Sequence, residues 1–290
     1  MLFTFTVLEA VGGWWANSVA LFAEAAHMFA DSGSLLLAIL AIRMAQRPAR
    51  PDRTYGHGRY QPLAAYTNGL VLLVLTVAVV VASVHRLLGP PPVNAALMLV
   101  IAVIGAAANF AAFLALSGAT SLNERSARQH VLADLAGSGA AIVASCLILK
   151  FGWLGADPLL SLGVSVLILR SGWSMVRDSA HVLLEGTPPG FDARAVARDL
   201  NTLPGVHDVH HVHAWSLTGE TPLVTLHAEL DASADRRQTL GALMERLRQR
   251  FGIEHATVQI EEGGCIAPAG EDDCHESGTV FESDAVHGSR

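Results

Sequence analysis

Residues 63–84, LAAYTNGLVLLVLTVAVVVASV, contain no Asp, Glu, Lys or Arg, and the run from 93 to 123 is equally free of charged residues. About 20 helical residues cross the roughly 30 Å hydrocarbon core of a bilayer, so each run is long enough to span it. The composition agrees, since 51% of the 290 residues are hydrophobic and only 16% are charged, against about 25% charged in soluble domains. The sequence therefore predicts an α-helical membrane protein.

Outward from these two runs, we predict six transmembrane helices, at residues 1–15, 18–45, 61–87, 94–118, 124–149 and 158–184. The segment 89–92, GPPP, cannot continue a helix and separates the third helix from the fourth. The first predicted helix is short, which indicates a first span whose beginning is missing. Asp157 is expected to cap the sixth helix, with Pro158 at the first helical position.

Arginine residues indicate the orientation in the membrane. They are concentrated in two predicted loops, at positions 43, 47, 50, 53 and 59 and at positions 125 and 128. Basic residues favour the cytoplasmic side, so these loops and both termini are predicted to be cytoplasmic. Lys150 is the only lysine among 19 basic residues, which is typical of a GC-rich genome. We therefore expect a multi-pass protein of a bacterial inner membrane.

From about residue 190 the charge density rises and the apolar runs become shorter. The pattern predicts an α-β-β-α-β order, with helices at 192–203 and 235–251 and strands at 207–217, 222–230 and 256–261. A small sheet covered by helices on one face needs cover on the other, so dimerisation through this domain is expected. The predicted organisation is a six-helix transport domain (1–187), a cytoplasmic α+β domain (188–262) and a disordered acidic tail (263–290).

A duplicated motif supplies the candidate site. His27 and Asp31 form one His-x-x-Ala-Asp motif, and His130 and Asp134 form a second, each inside a predicted span. Residues four apart lie on one face of a helix. Two such helices packed face to face would bring together two imidazoles and two carboxylates, a ligand set that suits tetrahedral zinc. The two carboxylates would also balance the charge of one divalent cation.

This site predicts competition between metal ions and protons. When the metal leaves, bare carboxylates in a low-dielectric region must gain protons or water, so metal binding and protonation are linked. A single His-x-x-x-Asp pair is equally explained by a structural hydrogen bond. Two copies in two spans favour metal ligands. Glu9 and Glu24, two further acidic residues of the predicted spans, are interpreted as structural or helix-end residues.

Several segments resemble the cation diffusion facilitator family, and its zinc-exporting branch in particular. They are residues 18–31 (SVALFAEAAHMFAD), 121–134 (SLNERSARQHVLAD), 55–59 (YGHGR), 183–188 (LLEGTP) and 209–215 (VHHVHAW). The resemblance extends over about residues 3–262. It implies a homodimer that exchanges cytoplasmic Zn²⁺ for protons by alternating access, with the four span residues as its transport site. It also implies a ferredoxin-like, metallochaperone-like cytoplasmic domain. In this family a histidine at the position of His27 is associated with a preference for zinc over cadmium.

The sequence departs from the family pattern in two places. Some members bind a second metal in the loop between the second and third spans, but here Arg53 stands where a histidine is expected, which leaves His57 alone to bind weakly. The family's first cytoplasmic strand often has an Asp where this chain has His211. The aspartate of the family pattern is therefore lost in this chain.

The cytoplasmic histidines have two interpretations. His210, His227 and Glu261 match regulatory metal ligands of the family, whereas the alternative is that they are solvated or hydrogen-bonded histidines of a strand. In a regular strand His211 and His213 share one face and His210 points to the other. A further candidate group, Cys265, Cys274 and His275, lies in the predicted tail, and its spacing matches no recognised metal motif.

Other functions are less consistent with the sequence. An intramembrane metalloenzyme would need an open coordination position and a general base, as in His-Glu-x-x-His, which this chain lacks. A membrane-anchored metal sensor would need no duplicated ligands in two spans. The net charge of −7 disfavours a nucleic-acid partner. We therefore predict a transporter that is not an enzyme, has no organic cofactor, carries Zn²⁺, and has Cd²⁺, Co²⁺ or Ni²⁺ as alternative substrates.

Overall fold

The computed structural model describes residues 2–115, 122–219 and 221–261, with side chains described for 6–115, 131–219 and 221–261. The chain forms two compact units, Met1–Ser179 and Ala180–Arg290. The predicted acidic tail, residues 263–290, lies outside the described residues.

The N-terminal unit is built from long helices. In chain order they are α1 (Leu2–Ala16), α2 (Val19–Ala45), α3 (Tyr60–Leu88), α4 (Ala95–Ala115), α5 (Leu122–Phe151) and α6 (Ala156–Leu183). Among the described residues, five helical segments are long and apolar enough to cross a membrane: α2, α3, α4, α6 and Val131–Phe151 of α5. The 15 residues of α1 are fewer than the roughly 20 that a span requires. Its role as a sixth span stays a prediction.

The outer surface of these helices is apolar. Large side chains such as Val74, Leu167 and Leu35 are 69%, 64% and 62% exposed. A continuous apolar surface of this kind is rare in soluble monomers, and in a bilayer it contacts the acyl chains. The side-chain pattern thus supports the prediction of a multi-pass membrane protein.

Small residues fill the interior of the N-terminal unit. Alanines dominate one buried cluster formed by α1, α2, α4, α5 and the start of α6, with members that include Ala20, Ala102, Ala141 and Ala144. Small side chains allow the helix backbones to approach closely, as is common between membrane helices. This packing sets the positions of α2 and α5, which carry the predicted ligands.

The start of α2 corrects one prediction. Asp157 is fully buried in the first turn of α6, but its carboxylate accepts hydrogen bonds from Ser18 Oγ (2.6 Å), Val19 N (2.8 Å) and Ala20 N (3.1 Å). It therefore caps α2 and not α6. The unsatisfied N–H groups at a helix start attract an anion from any neighbouring element, and local sequence spacing cannot identify that neighbour.

The C-terminal unit is a small α+β structure. Its elements are α7 (Ala193–Leu200), β1 (Val206–Ser216), β2 (Pro222–Leu230), α8 (Arg236–Phe251) and β3 (His255–Glu261), which confirms the predicted order. The strands lie in the order β1-β2-β3, with β1 and β2 antiparallel and β2 and β3 parallel. Asp192 caps the start of α7, because its side chain accepts hydrogen bonds from the backbone N–H groups of Arg194 and Ala195.

One face of this sheet packs on the helices. Leu226 of β2 is buried with Leu200 of α7 and with Leu243 and Leu247 of α8 in a single apolar core. Because side chains alternate along a strand, His227 points away from that core. The face opposite the helices therefore carries the predicted cytoplasmic ligands.

Candidate metal centres

Three of the four predicted span ligands meet in the N-terminal unit. His27 and Asp31 lie one turn apart on α2, and Asp134 reaches them from α5. His27 Nε2 lies 3.6 Å from Asp31 Oδ2 and 3.6 Å from Asp134 Oδ1. One ligand atom from each residue falls within 4.8 Å of the others. We call these three residues the membrane cluster.

A close contact between α2 and α5 holds the cluster together. Ser138 Oγ donates a 3.2 Å hydrogen bond to Glu24 Oε1. At Gly137 an added Cβ would overlap the same carboxylate, so the glycine leaves space for Glu24 beside α5. Glu24 and Ser138 lie one turn before His27 and one turn after Asp134, respectively. This contact fits the structural role predicted for Glu24.

The fourth predicted ligand, His130, cannot be placed to the same detail. Its backbone belongs to α5, one turn before Asp134, but its side chain lies outside the described part of the chain. Its participation in the site therefore stays a prediction.

The spacing of the membrane cluster suits a metal ion. Zinc binds nitrogen and oxygen at about 2.0–2.2 Å, so two ligand atoms of a tetrahedral site lie about 3.4 Å apart. The two 3.6 Å distances come close to this value, and they are longer than ordinary hydrogen bonds. His27 and Asp31 are half-buried, and Asp134 is 8% exposed, so the cluster is partly shielded from solvent.

A second group forms on the sheet of the C-terminal unit. His210 and His227 are cross-strand neighbours on β1 and β2, and Glu261 ends β3. His210 Nε2 lies 3.2 Å from Glu261 Oε2. His227 Nδ1 approaches Glu261 Oε1 to 2.9 Å but is not aligned for a hydrogen bond. We call His210, His227 and Glu261 the C-terminal cluster.

Asp208 supports this cluster, and sequence reasoning missed it. Its Oδ2 lies 3.0 Å from His210 Nδ1. A carboxylate on one ring nitrogen fixes the tautomer and orientation of a histidine whose other nitrogen can bind metal. The sequence could have indicated this contact, because Asp208 and His210 are two residues apart in a predicted strand and such residues share a face.

The remaining candidates are His57 and the group Cys265, Cys274 and His275. His57 is 8% exposed and its ring stacks on Tyr60 at a centroid distance of 6.0 Å. Among the described residues, His57 belongs to no group of three or more potential ligands. Cys265, Cys274 and His275 lie outside the described residues.

These features together define a class of protein. Spanning helices with an apolar exterior enclose a histidine–aspartate cluster, a costly arrangement in a bilayer that marks a pathway for ions. These features are typical of a membrane transporter of metal cations.

Comparison with family models identifies the family. Residues 1–184 match the cation efflux transmembrane domain, and residues 188–263 match the cytoplasmic domain of cation efflux proteins. The chain therefore belongs to the cation efflux family, which confirms the resemblance inferred from its motifs.

Individual relatives extend over most of the chain. The zinc transporter ZitB of Escherichia coli (strain K12) is 41% identical over 93% of this chain and 86% of its own length. The cadmium, cobalt and zinc/H(+)-K(+) antiporter of Bacillus subtilis (strain 168) is 36% identical over 90% of this chain and 86% of its own. Among solved structures, the metal-bound C-terminal domain of the CzcD transporter from Cupriavidus metallidurans is 30% identical over 24% of this chain and 99% of its own, with a TM-score of 0.24.

Proposed function

We propose that this protein exports Zn²⁺ from the bacterial cytoplasm across the inner membrane in exchange for protons. The observation that carries the proposal is the convergence of His27, Asp31 and Asp134 from two helices of the membrane unit. Relatives of similar length are named zinc transporters and a cadmium, cobalt and zinc antiporter. Zinc is therefore the first expected substrate, with Cd²⁺, Co²⁺ and Ni²⁺ as alternatives.

His130 completes the proposed transport site. It precedes Asp134 by one helical turn, as His27 precedes Asp31, so the two pairs supply four ligands from two helices. Two carboxylates balance the charge of the ion, and two neutral imidazoles complete a tetrahedral set. A balanced cluster avoids the cost of several kcal/mol that an unpaired ion pays in a low-dielectric environment.

Exchange for protons follows from the same ligand set. Zinc binds deprotonated carboxylates and neutral imidazoles, so protons compete for the same lone pairs. Once the ion departs, two adjacent carboxylates repel each other, and protonation relieves that repulsion. Each transport cycle then carries protons in the direction opposite to zinc.

A cavity lies one helical turn beyond Asp31, on the side that is proposed to be cytoplasmic. It has a volume of about 200 Å³ and lies among α2, α3 and α6, with Ser34, Gln61 and Asn68 among its lining residues. Ser34 follows Asp31 on α2, toward the end that leads into the arginine-rich segment 43–60. The positive-inside rule assigns that segment, and with it both termini, to the cytoplasm.

The proposed assembly is a homodimer of two-domain subunits. The transport domain comprises residues 1–187 with six spans, and the ferredoxin-like cytoplasmic domain comprises residues 188–262. Dimerisation through the cytoplasmic domain is consistent with a sheet whose helices cover one face. In this domain the C-terminal cluster binds regulatory zinc.

The C-terminal cluster also favours a second candidate function. A membrane-anchored sensor would bind metal at His210, His227 and Glu261 and would use its helices only for attachment. In that case zinc binds to the protein but is not moved across the bilayer.

Proteoliposomes distinguish the two functions. Purified protein is reconstituted with a zinc-sensitive dye inside the vesicles, and a pH gradient is imposed across the bilayer. If the protein is a transporter, zinc should enter the vesicles only while the pH gradient exists, and entry should stop when a protonophore collapses the gradient. Binding of zinc without gradient-driven entry would favour the sensor.

A further inference from the structure

Strand β1 is irregular where it carries its histidines. His210 pairs with His227 and His213 pairs with Thr225, so two residues of β1 lie opposite a single residue of β2. This is a β-bulge. Within it, His211 has a φ of 49°, the left-handed conformation that residues other than glycine seldom adopt. Strained backbone of this kind persists where the surrounding structure fixes it, and it occurs frequently at binding sites.

The bulge changes the direction of the His211 ring. In a regular strand His210 and His211 would point to opposite faces. Here the His211 ring centre lies 5.3 Å from that of His210 and 5.1 Å from that of His227, while the latter two rings are 5.6 Å apart. Three imidazoles are thus mutual neighbours on the face that carries Glu261.

The ring-centre distances are close to those of histidines that share one metal ion. The ligand atoms of His210, His227 and Glu261 already lie within 4.8 Å of one another, and a turn of the His211 ring would bring its nitrogen to the same ion. Zinc lies about 2.0–2.1 Å from an imidazole nitrogen, so the ring centres of two ligands at a tetrahedral angle are about 5 Å apart. All three pairs fall near this value, and their planes are inclined by 52–67°. His213 provides a contrast, because its ring stacks on His211 at 6.4 Å with an angle of 25°.

We propose that His211 is a ligand of the C-terminal metal site, so that His210, His211, His227 and Glu261 hold one zinc ion in a closed four-coordinate site. This inference rests on the proposal that the C-terminal cluster binds zinc, and it specifies how. Four protein ligands leave no open position, which is typical of zinc that stays bound. The site then retains its ion and does not pass it toward the membrane cluster.

The charges around the site support this ligand set. Zinc bound by three neutral imidazoles and one carboxylate leaves one positive charge. Asp208, held against His210 Nδ1 at 3.0 Å, supplies a compensating negative charge next to the site. Asp208 is a positioning residue, since it orients the ligand ring and does not itself bind the ion.

The test uses the full chain in detergent, with the other candidate sites removed by Asp31→Asn, Asp134→Asn, Cys265→Ser and Cys274→Ser. In this background His211→Asn removes the imidazole but retains a residue type that tolerates the left-handed conformation. His213→Asn is the matched control in the same strand. Co²⁺ serves as a spectroscopic probe of coordination number, and zinc affinity is measured by competition with a chelating dye.

The expected result is specific to His211. The His211→Asn protein should lose the intense visible absorption of four-coordinate cobalt, and its zinc affinity should fall on the order of 100-fold, at or beyond the 10–100-fold typical when a supporting residue is lost. The His213→Asn protein should keep both properties within about twofold. His211→Gly provides a second variant that adopts the bulge conformation at no steric cost.

Two other outcomes would overturn the inference in different ways. If His211→Asn and His211→Gly behave like the background protein while His210→Ala loses zinc, the three-residue cluster binds zinc without His211. If His210→Ala also retains full zinc affinity, the assignment of a metal site to the C-terminal cluster is wrong. Neither result depends on transport, which the proteoliposome assay measures separately.

Discussion

The membrane cluster and the C-terminal cluster contain the same kinds of side chain but differ in spacing. In the membrane cluster the closest nitrogen–oxygen distances are both 3.6 Å. In the C-terminal cluster they are 3.2 Å and 2.9 Å, and a further carboxylate contacts His210. The first spacing is close to the roughly 3.4 Å edge of a tetrahedral zinc site. In the C-terminal cluster the His210–Glu261 contact is a hydrogen bond, whereas the His227–Glu261 contact is short but not aligned for one.

This difference indicates two uses of one chemistry. Ligands already at metal spacing need little rearrangement to receive or release an ion, as transport requires. In the C-terminal cluster His210 must exchange its contact with Glu261 for a bond to the metal, so binding requires a local rearrangement of side chains. The first arrangement suits passage of an ion, and the second suits a site that retains it.

The largest expected effect comes from removing one charge of the membrane cluster. Asp134→Asn keeps the shape of the side chain but leaves zinc with one carboxylate fewer, so charge compensation in a low-dielectric site is lost. Gradient-driven zinc uptake by proteoliposomes should fall at least about 100-fold. Asp178→Asn, on the exposed surface of α6, is the control and should transport normally. Unchanged transport by Asp134→Asn would remove this cluster from the pathway.

A smaller effect is expected from the C-terminal cluster. His210→Ala should weaken zinc binding to the C-terminal unit by about 10–100-fold, because it removes a ligand and releases Asp208. The maximum transport rate should stay within about threefold, since a residue outside the pathway does not stabilise the transported ion in transit. Initial rates of uptake over a range of zinc concentrations give both quantities.

The matched control for His210 is His207→Ala, an exposed histidine of the same strand. It should change neither zinc binding nor transport. A loss of transport by His210→Ala as large as that of Asp134→Asn would contradict the separation of the two clusters.

Acidification of the zinc-loading side should weaken zinc binding at the transport site. Protons compete with zinc for the ligands of the transport site, so lowering the pH on the zinc-loading side by about one unit should raise the apparent KM for zinc by up to ~10-fold per competing proton. The maximum rate should change less. An apparent KM that is independent of pH on that side would argue against competition.

The smallest expected effect concerns the anchoring of α2. Ser18→Ala removes the hydroxyl that donates to Asp157 and accepts from Leu21 N, and loss of such a cap costs about 1 kcal/mol. The thermal midpoint in detergent should fall by about 2–4 °C. Ser174→Ala, whose hydroxyl bonds only the exposed Asp178 nearby, should leave the midpoint within experimental error.

Local periodicity predicted much of the fold and part of the site. Long charge-free runs predicted the spanning helices, because length and polarity alone decide whether a helix can cross a bilayer. The same four-residue spacing in His27/Asp31 and in His130/Asp134 predicted that α2 and α5 would present ligands to each other. In the C-terminal unit, alternation along β2 placed His227 opposite the apolar core.

The features that escaped prediction depend on contacts between distant segments. Asp157 was assigned to its own helix, yet it caps α2, because the N–H groups it satisfies belong to a neighbour in space. His211 was placed on the face opposite His210, but a bulge in β1 brings the two rings together. A bulge arises from the register of two strands, so one strand's sequence does not reveal it.

The central claim is that ligands from α2 and α5 hold one zinc ion inside the membrane. X-ray absorption at the zinc edge tests it most directly, using protein with His210→Ala, Cys265→Ser and Cys274→Ser to silence the C-terminal sites. We predict four nitrogen or oxygen neighbours at about 2.0 Å with imidazole scattering, and loss of the bound zinc on adding Asp134→Asn. A six-coordinate shell without imidazole, or zinc retained unchanged after Asp134→Asn, would contradict the account.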